Sequence, residues 1–381
     1  MQIVAKTLAG LESVLEKEIA SLGGENIVAL KRAVQFEGNL ELLYRANYEL
    51  RTAVRVLKPI AKFNVRNEHE LYQKIQTINW EDFMSIRDTL AIDAAVSSQH
   101  FNHSKYVALK TKDAIVDQFR SKTGRRPSVD INNPFLRINI HIGGSECTVA
   151  LDSSGDSLHK RNYRISQTSA PLSEVLAAGM LKLAGWKADR DFVDPMCGSG
   201  TILIEAAMMA YNIPAQVLRK DFCFMNWPDF DARLWRQVKQ EARKKQRAFR
   251  YRIMGSDIDL EAIKASRTNV KAIRLDGKIR LECKDFADFE LEANNGGLLV
   301  INPPYGERLE EENINGLYSM IGDKLKQTFT GFDAWILSSN FDAFKHIGLR
   351  TSRKIPLING SLDCKFQHYE LYQGSKKKKF R

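Results

Sequence analysis

The sequence is poor in cysteine. Its five, Cys147, Cys197, Cys223, Cys283 and Cys364, are odd in number, scattered, and never arranged as a CxxC pair. That pattern excludes a disulfide framework and a cysteine zinc site, and fits a reducing compartment. Long apolar runs are missing too, so no segment reads as a membrane span. The first residues, Met1-Gln2-Ile3-Val4-Ala5-Lys6, lack the charged-then-apolar pattern of a secretory signal, and the expected location is the cytoplasm. No internal repeat is visible, and low complexity is confined to the lysine-rich end. The one hint of a metal site is His100-Phe101-Asn102-His103. Two histidines without further ligands more often pack or face solvent, so no metal is expected.

What is present is a globular chain. Its 381 residues, 44% hydrophobic, suffice for two or three domains and a substantial core. The net charge of +11 is unevenly spread: residues 219–252 hold 11 basic and 4 acidic side chains, and the last six residues add five more cations. A basic patch beside a site is the footprint expected for a phosphate backbone; a solvated helix and a solubilising tail would leave the same trace.

Periodicity divides the chain. Residues 1–60 read as strand, helix, strand, helix, strand: Ile3-Val4-Ala5, a helix through Leu11, Val14, Leu15 and Ile19 closed by Gly23-Gly24, then Val34-Gln35-Phe36, Leu40 to Leu50, and Thr52 to Leu57. This split βαβ rhythm predicts a ferredoxin-like layer. Residues 61–155 predict a second α/β unit, with helices from Glu68 to Ile75 and Ser104 to Phe119 and strands from Thr89 to Ser97, Leu136 to Ile142 and Glu146 to Asp152. Asp152-Ser153-Ser154-Gly155-Asp156-Ser157 reads as a polar linker at the main boundary. Strands and helices alternate from Pro171 onward, predicting a doubly wound parallel sheet with an antiparallel end. The expected divisions are 1–60, 61–155, a linker over 156–170, 171–375, and a basic tail over 376–381. An extra helix is expected between the first helix and second strand of the last domain. Trp235, Val238 and Ala242 would form its apolar face, with Arg243, Lys244 and Lys245 on a basic surface placed to hold RNA.

Two segments carry chemistry. Asn302-Pro303-Pro304-Tyr305-Gly306-Glu307-Arg308-Leu309 follows the apolar run Leu298-Leu299-Val300-Ile301, which reads as a buried strand. An amine conjugated to a ring is a poor nucleophile because its lone pair is delocalised. An Asn side-chain oxygen and the carbonyl of the next Pro can accept both amine hydrogens and aim the lone pair, a positioning and electrostatic task. Tyr305 offers an aromatic face for a flipped base. The second segment is Asp194-Pro195-Met196-Cys197-Gly198-Ser199-Gly200-Thr201. Its glycine spacing is neither that of a dinucleotide fold nor a Walker loop. It would instead hold the amino-acid part of S-adenosylmethionine, with Asp194 near the ammonium. Asp257, beside Ile258, would accept from the ribose hydroxyls, and Asp285 from the adenine amine with Phe286 against the ring. A lone Gly-rich turn is ordinary loop punctuation and a lone strand-end Asp an ordinary helix cap. Three such features after successive strands, with Asn-Pro-Pro-Tyr after a fourth, are hard to obtain otherwise. Cys197 reads as a small packing residue.

At these residues the chain resembles the class I S-adenosylmethionine-dependent methyltransferases of the amino-methylating type. It is similar above all to the THUMP-domain rRNA guanine-N2 methyltransferases. Further matching segments are 151–164, containing His159-Lys160-Arg161 and Arg164, and Thr168-Ser169-Ala170-Pro171-Leu172. The resemblance covers essentially the whole chain, and is to the guanine-N2 half of a longer fused bacterial enzyme. It implies a ferredoxin-like layer and a THUMP RNA-binding domain, then a Rossmann-like seven-stranded methyltransferase domain. It places Asn302, Pro303, Pro304 and Tyr305 at the target base. It places Asp194, Gly198, Asp257 and Asp285 on the cofactor, with Thr168, Ala170, Pro171, Pro195, Cys197, Ser199, Gly200, Thr201, Ile258, Phe286 and, a second time, Asn302 around them. His159, Lys160, Arg161 and Arg164 could contact RNA phosphates, or form a plain solvated linker. Glu307 and Arg308 could close over the site, with Arg308 against the substrate RNA, or form a structural ion pair at a helix start. The expected partner is RNA, foremost 23S rRNA or a large-subunit assembly intermediate. A tRNA guanine-N2 enzyme, an adenine-N6 DNA or RNA methyltransferase and a non-catalytic ribosome-assembly factor remain open.

Overall fold

The computed structural model describes residues 1–167, 171–306 and 311–372. The chain divides into two compact units, each holding a piece of chain from beyond its main span. One comprises Met1–Thr7, Leu15–Leu158 and Arg219–Glu241; the other comprises Leu8–Val14, His159–Leu218 and Ala242–Arg381.

The elements of the N-terminal part are β1 (Gln2–Thr7), α1 (Glu12–Ser21), β2 (Glu25–Leu30), β3 (Ala33–Glu37), α2 (Leu40–Glu49), β4 (Ala53–Asn64), α3 (Glu68–Gln76), β5 (Thr89–Ser97), α4 (Ser104–Thr123), β6 (Ser128–Val129), β7 (Leu136–Gly143) and β8 (Glu146–Asp152). They build one eight-stranded sheet in the order β2-β3-β1-β4-β8-β7-β5-β6. The ferredoxin-like strands occupy one half and the THUMP strands the other. Strand β4 joins them because it is long enough to pair on both edges: Val4 faces Leu57 on one side, and Leu57 faces Asp152 on the other. Pro59 lies at a register shift in the β4–β8 ladder, where a residue without an N–H is tolerated. The short sequence reading of β4 is thus corrected to a strand that continues to Asn64.

Strand β2 was not expected. Val28 and Leu30 stay exposed along it, so no apolar alternation marks it; pairing with β3 makes it a strand. The polar stretch after β8 is not a solvated linker either. Asp152, Ser153 and Ser154 are fully buried. Ser153 donates to Val56 O at 2.6 Å, Ser154 donates to Asn47 Oδ1 at 2.7 Å, and Arg55 donates to Asp152. Burial is tolerable because each group finds a partner.

The segment 219–241 belongs to this first unit. Phe224 stacks on Tyr44 with centroids 4.5 Å apart, and Trp235 meets Tyr48 edge-on at 5.3 Å. Tyr44 Oη accepts from Asp231 N at 3.0 Å. The expected extra helix is α7 (Ala232–Lys244), with Trp235, Val238 and Ala242 buried and Arg243, Lys244 and Lys245 exposed.

The remaining elements are α5 (Glu174–Leu183), β9 (Asp191–Asp194), α6 (Thr201–Ala210), β10 (Ile253–Asp257), α8 (Leu260–Ala272), β11 (Arg280–Cys283), β12 (Gly297–Ile301), α9 (Glu311–Thr328), β13 (Phe332–Ser338), β14 (Arg353–Asn359) and β15 (Leu362–Glu370). Their seven-stranded sheet runs β11-β10-β9-β12-β13-β15-β14. The first five strands are parallel, and β15 and β14 close the sheet antiparallel. The strand order reverses direction between β9 and β12, and such a switch point opens a crevice at the carboxyl ends of the strands. Both strands are buried, β12 along an unbroken apolar run and β9 with Phe192 and Val193 between two buried aspartates. Among the described residues no helix is long and apolar enough to cross a membrane.

Candidate active site

The pairing of Leu299 with Val193 sets β12 beside β9, so the turns that follow these strands leave the sheet at one end. The turn after β9 is held by glycine geometry. Gly198 has φ +53°, and a Cβ there would meet nothing within 4 Å; Gly200 has φ +82°, and a Cβ there would lie 2.8 Å from Ser266 Oγ. Both conformations favour glycine, and at Gly198 the bare backbone faces open space where a ligand can approach. Gly200 then caps α6, whose first turn has no side-chain cap.

Neighbouring elements brace this turn. Asp257 Oδ2 accepts from Gly198 N at 2.8 Å, Cys197 N donates to Ser256 O at 2.9 Å, and Ser266 Oγ donates to Gly198 O at 2.7 Å. Asn269 Nδ2 donates to Ser199 O at 3.0 Å. Asp257 Oδ1 also accepts from Asp259 N at 3.0 Å, which leaves its carboxylate fixed beside the exposed Ile258. Pro195 is buried and Pro171 exposed. Cys197 is buried with its thiol pushed well up by desolvation, a packing role rather than a nucleophilic one.

Asp194 is the telling residue. It is 1% exposed; Oδ1 accepts from Met196 N at 3.3 Å, while Oδ2 is buried without a hydrogen-bond partner among the described residues. Burial pushes its carboxyl well above the usual range, and nearby Asp257 adds to that. A buried, half-satisfied carboxylate is costly unless a cation completes it. An ammonium is such a cation, so this residue fits the amino-acid end of S-adenosylmethionine. Asp285 caps a short 3-10 turn through Ala287 N at 2.9 Å and remains half-exposed at the end of β11. Phe286 is corrected. It is 2% exposed and packs against Phe329 at 5.8 Å, so its ring belongs to the core and presents no open face to an adenine.

On the other side of the crevice, Asn302 Oδ1 accepts a hydrogen bond from the Tyr305 hydroxyl. That hydroxyl also accepts from Asn359 Nδ2 at 3.4 Å, and burial raises its pKa far above the usual value. Tyr305 O accepts from Asn340 Nδ2 at 3.2 Å, and Tyr318 donates to Pro304 O at 3.5 Å. Pro303 is buried and Pro304 exposed. Tyr318 shares a 2.6 Å hydrogen bond with Ser338 and is itself raised to about 12 by burial. The expected acceptor is therefore present and competent, since it already takes an O–H donor. Asn340, Asn359 and Tyr318 were missed because they lie in the loop after β13, on β14 and on α9, which only the fold brings to this turn.

Two basic residues of the connecting segment, Arg161 and Arg164, are corrected. Arg161 is 1% exposed and its guanidinium lies 3.5 Å from the equally buried Glu205. Arg164 donates to Glu174 at 2.9 Å, Ser199 Oγ at 3.1 Å, Leu172 O at 2.9 Å and Thr201 Oγ1 at 3.0 Å. Neither guanidinium is presented to a phosphate. His159 is half-buried with its pKa lowered by desolvation, and Lys160 is exposed. Thr168, Ala170, Glu307 and Arg308 lie outside the described residues. No cluster of metal-ligating side chains occurs among the described residues.

Comparison with known proteins matches residues 161–368 to the family model described as an RMKL-like methyltransferase domain, 65–152 to the THUMP domain and 2–57 to the RlmL ferredoxin-like domain. A candidate RNA methyltransferase of Synechocystis sp. is 42% identical over 97% of this chain and 96% of its own length. The ribosomal RNA large subunit methyltransferase K/L of Syntrophotalea carbinolica is 38% identical over 95% of this chain, which spans 52% of that longer protein. The crystal structure of SMU.472, a candidate methyltransferase complexed with S-adenosylhomocysteine, superposes with a TM-score of 0.87 at 30% identity, covering 98% of this chain and 99% of the other.

Proposed function

The chain belongs to the RMKL-like methyltransferase family, and from that premise we propose that it methylates the exocyclic N2 amine of a guanine in large-subunit rRNA by direct transfer. S-adenosylmethionine, when bound, supplies a methyl group on an electrophilic sulfonium. This chain's residues do the rest. Asp194 would hold the cofactor's ammonium, the Gly198–Gly200 backbone would admit its amino-acid part, and Asp257 and Asp285 would take the ribose and adenine. Asn302 Oδ1 and the Pro303 carbonyl would accept the two amine hydrogens, keeping the nitrogen lone pair aimed across the crevice. The Tyr305 ring would stack on the flipped base. No side chain is asked to form a covalent bond to the substrate. Arg243, Lys244 and Lys245, exposed at the end of α7, would hold RNA phosphates.

The observation that carries this reading is the Asn302 acceptor at the end of β12, beside a turn whose buried Asp194 oxygen lacks a partner. The test is transfer from isotopically labelled S-adenosylmethionine to unmodified large-subunit rRNA, with tRNA and DNA alongside and digested nucleosides read by mass spectrometry. Labelled N2-methylguanosine in rRNA, sharply reduced by Asn302→Ala, is the expected result. Label in adenosine, tRNA or DNA would keep the chemistry and overturn the substrate. Binding of rRNA with no transfer to it or to assembly intermediates would overturn the catalytic reading.

A further inference from the structure

Residues 164–166 make contacts that a connecting segment does not need. Arg164 carries one of them. Its side chain is 14% exposed and Glu174 beside it 5% exposed, yet the ion pair uses only the Nε edge. The two Nη nitrogens reach Ser199 Oγ, Leu172 O and Thr201 Oγ1, which are the second serine-glycine half of the cofactor turn, the chain entering α5, and the first residue of α6. Asn269 of α8 carries the other. It is fully buried, and its Oδ1 accepts from Ile165 N at 2.9 Å and Ser166 N at 3.0 Å, while Nδ2 donates to Ser166 O at 2.8 Å and Ser199 O at 3.0 Å. Ser199 is thus gripped twice, at its hydroxyl by Arg164 and at its carbonyl by Asn269, and both grips pass through the same three residues.

Charge alone does not account for Arg164. A cation beside the start of α6 meets the positive end of that helix, an unfavourable placement. Glu174 offsets it, and what remains is geometry: a planar fork that fixes two hydroxyls and a carbonyl at once, which a lysine's point charge cannot reproduce.

We propose that Arg164 and Asn269 are positioning residues that fix Ser199, and through it the shape of the cofactor turn, so that the affinity for S-adenosylmethionine depends on how residues 164–166 are seated. The proposal rests on the assignment of the Asp194–Thr201 turn to the cofactor. Arg164 acts on the cofactor side of the crevice and does not read RNA.

Three variants of the full chain test it: Arg164→Lys, which keeps the charge and the Glu174 pair; Asn269→Asp, which keeps the acceptor and loses both donations; and the pair together. S-adenosylhomocysteine binding is measured by calorimetry without RNA, and amide exchange is followed over Cys197–Thr201. Each single variant weakens binding roughly tenfold, as loss of hydrogen bonds from a charged or fully buried group implies, and exchange in the turn accelerates. The double variant costs less than the sum, because both residues hold one serine. In transfer assays the KM for S-adenosylmethionine rises with the dissociation constant while the KM for RNA does not follow. Unchanged binding and exchange in Arg164→Lys and Asn269→Asp overturns the latch. A rise in the RNA KM alone returns Arg164 to phosphate contact. Wild-type protein that binds no S-adenosylhomocysteine instead removes the cofactor assignment on which the latch stands.

Discussion

The turn after β9 and the turn after β12 leave adjacent parallel strands of one sheet, and both are braced by side chains from other elements, but they differ in what they leave undone. Around the first, Asp257, Ser266, Asn269 and Arg164 bond to Gly198 and Ser199, and among the described residues the buried Asp194 Oδ2 is left without a hydrogen-bond partner. Around the second, Asn302 Oδ1 has already found a donor in its own Tyr305. On the proposed reading the first turn is the cofactor side, and its buried carboxylate would pair with the ammonium. The second turn, the base side on that reading, is closed on itself, and a target amine would compete with a phenol for the acceptor. A preorganised half lowers the cost of binding, whereas an occupied acceptor taxes every donor that replaces the phenol, which raises the selectivity for one that also stacks.

The largest effect expected is on the base side. Asn302→Ala removes an oriented acceptor, and single-turnover transfer should fall by about a hundred- to a thousandfold, the range found when one preorganised polar group is deleted. Binding of S-adenosylhomocysteine should stay intact. Loss of that binding would show that the two turns are not separable, and would break the comparison at its root.

On the cofactor side, Asp194→Asn should weaken S-adenosylhomocysteine binding roughly ten- to a hundredfold, since a charge-assisted contact is replaced by a neutral one. The same change should stabilise the protein without cofactor. Because burial raises the Asp194 pKa when folded, the folded chain binds its proton more tightly than the unfolded one. Stability from this group is therefore greatest below the ordinary carboxylate range and falls as pH rises toward the raised value. Thermal unfolding of the cofactor-free protein across that window should slope downward with pH in the wild type and less so in Asp194→Asn. Equal slopes would mean that the carboxylate is solvated or partnered in solution.

How much of this was legible in the sequence follows from how local each signal is. The apolar run Leu298–Ile301 is a strand as predicted, the alternation from Pro171 onward gives the parallel sheet that includes Asp191–Asp194, and the two turns follow these strands directly. The apolar face of α7 was legible too, because Trp235, Val238 and Ala242 recur at helical spacing. What failed was everything decided by a partner far along the chain. Arg161 and Arg164 look like solvated linker cations until the fold supplies Glu205 and Glu174, and burial turns them inward. Phe286 looked like a ligand shelf because its packing partner Phe329 lies on a later helix end. Asn269 left a trace that could have been read: with Ile263, Ser266 and Val270 it sits on the buried face of α8, where a polar residue needs a reason.

A smaller effect is expected at α7. Reversing Arg243, Lys244 and Lys245 should weaken RNA binding roughly tenfold at moderate salt, with the logarithmic salt slope falling by about 0.7 for each lost phosphate contact, and should leave cofactor affinity alone. Unchanged RNA affinity would reduce this helix to an anchor for its own aromatic cluster.

The sharpest test of the comparison carries the smallest effect. Tyr305→Phe keeps the ring and deletes only the hydroxyl that occupies Asn302 Oδ1. If that hydroxyl is a resting-state stand-in for the target amine, removing it spares the base a competing hydrogen bond of about 1 kcal/mol net, and the KM for RNA should fall roughly fivefold. Asn359→Ala, which loosens the same hydroxyl without touching Asn302, should move the KM in the same direction by less. The signature to look for is a KM effect unaccompanied by a loss at saturation. A fall in kcat in Tyr305→Phe with KM unchanged would say the opposite: that the phenol orients Asn302 during transfer, and that the closed base side is already the working arrangement.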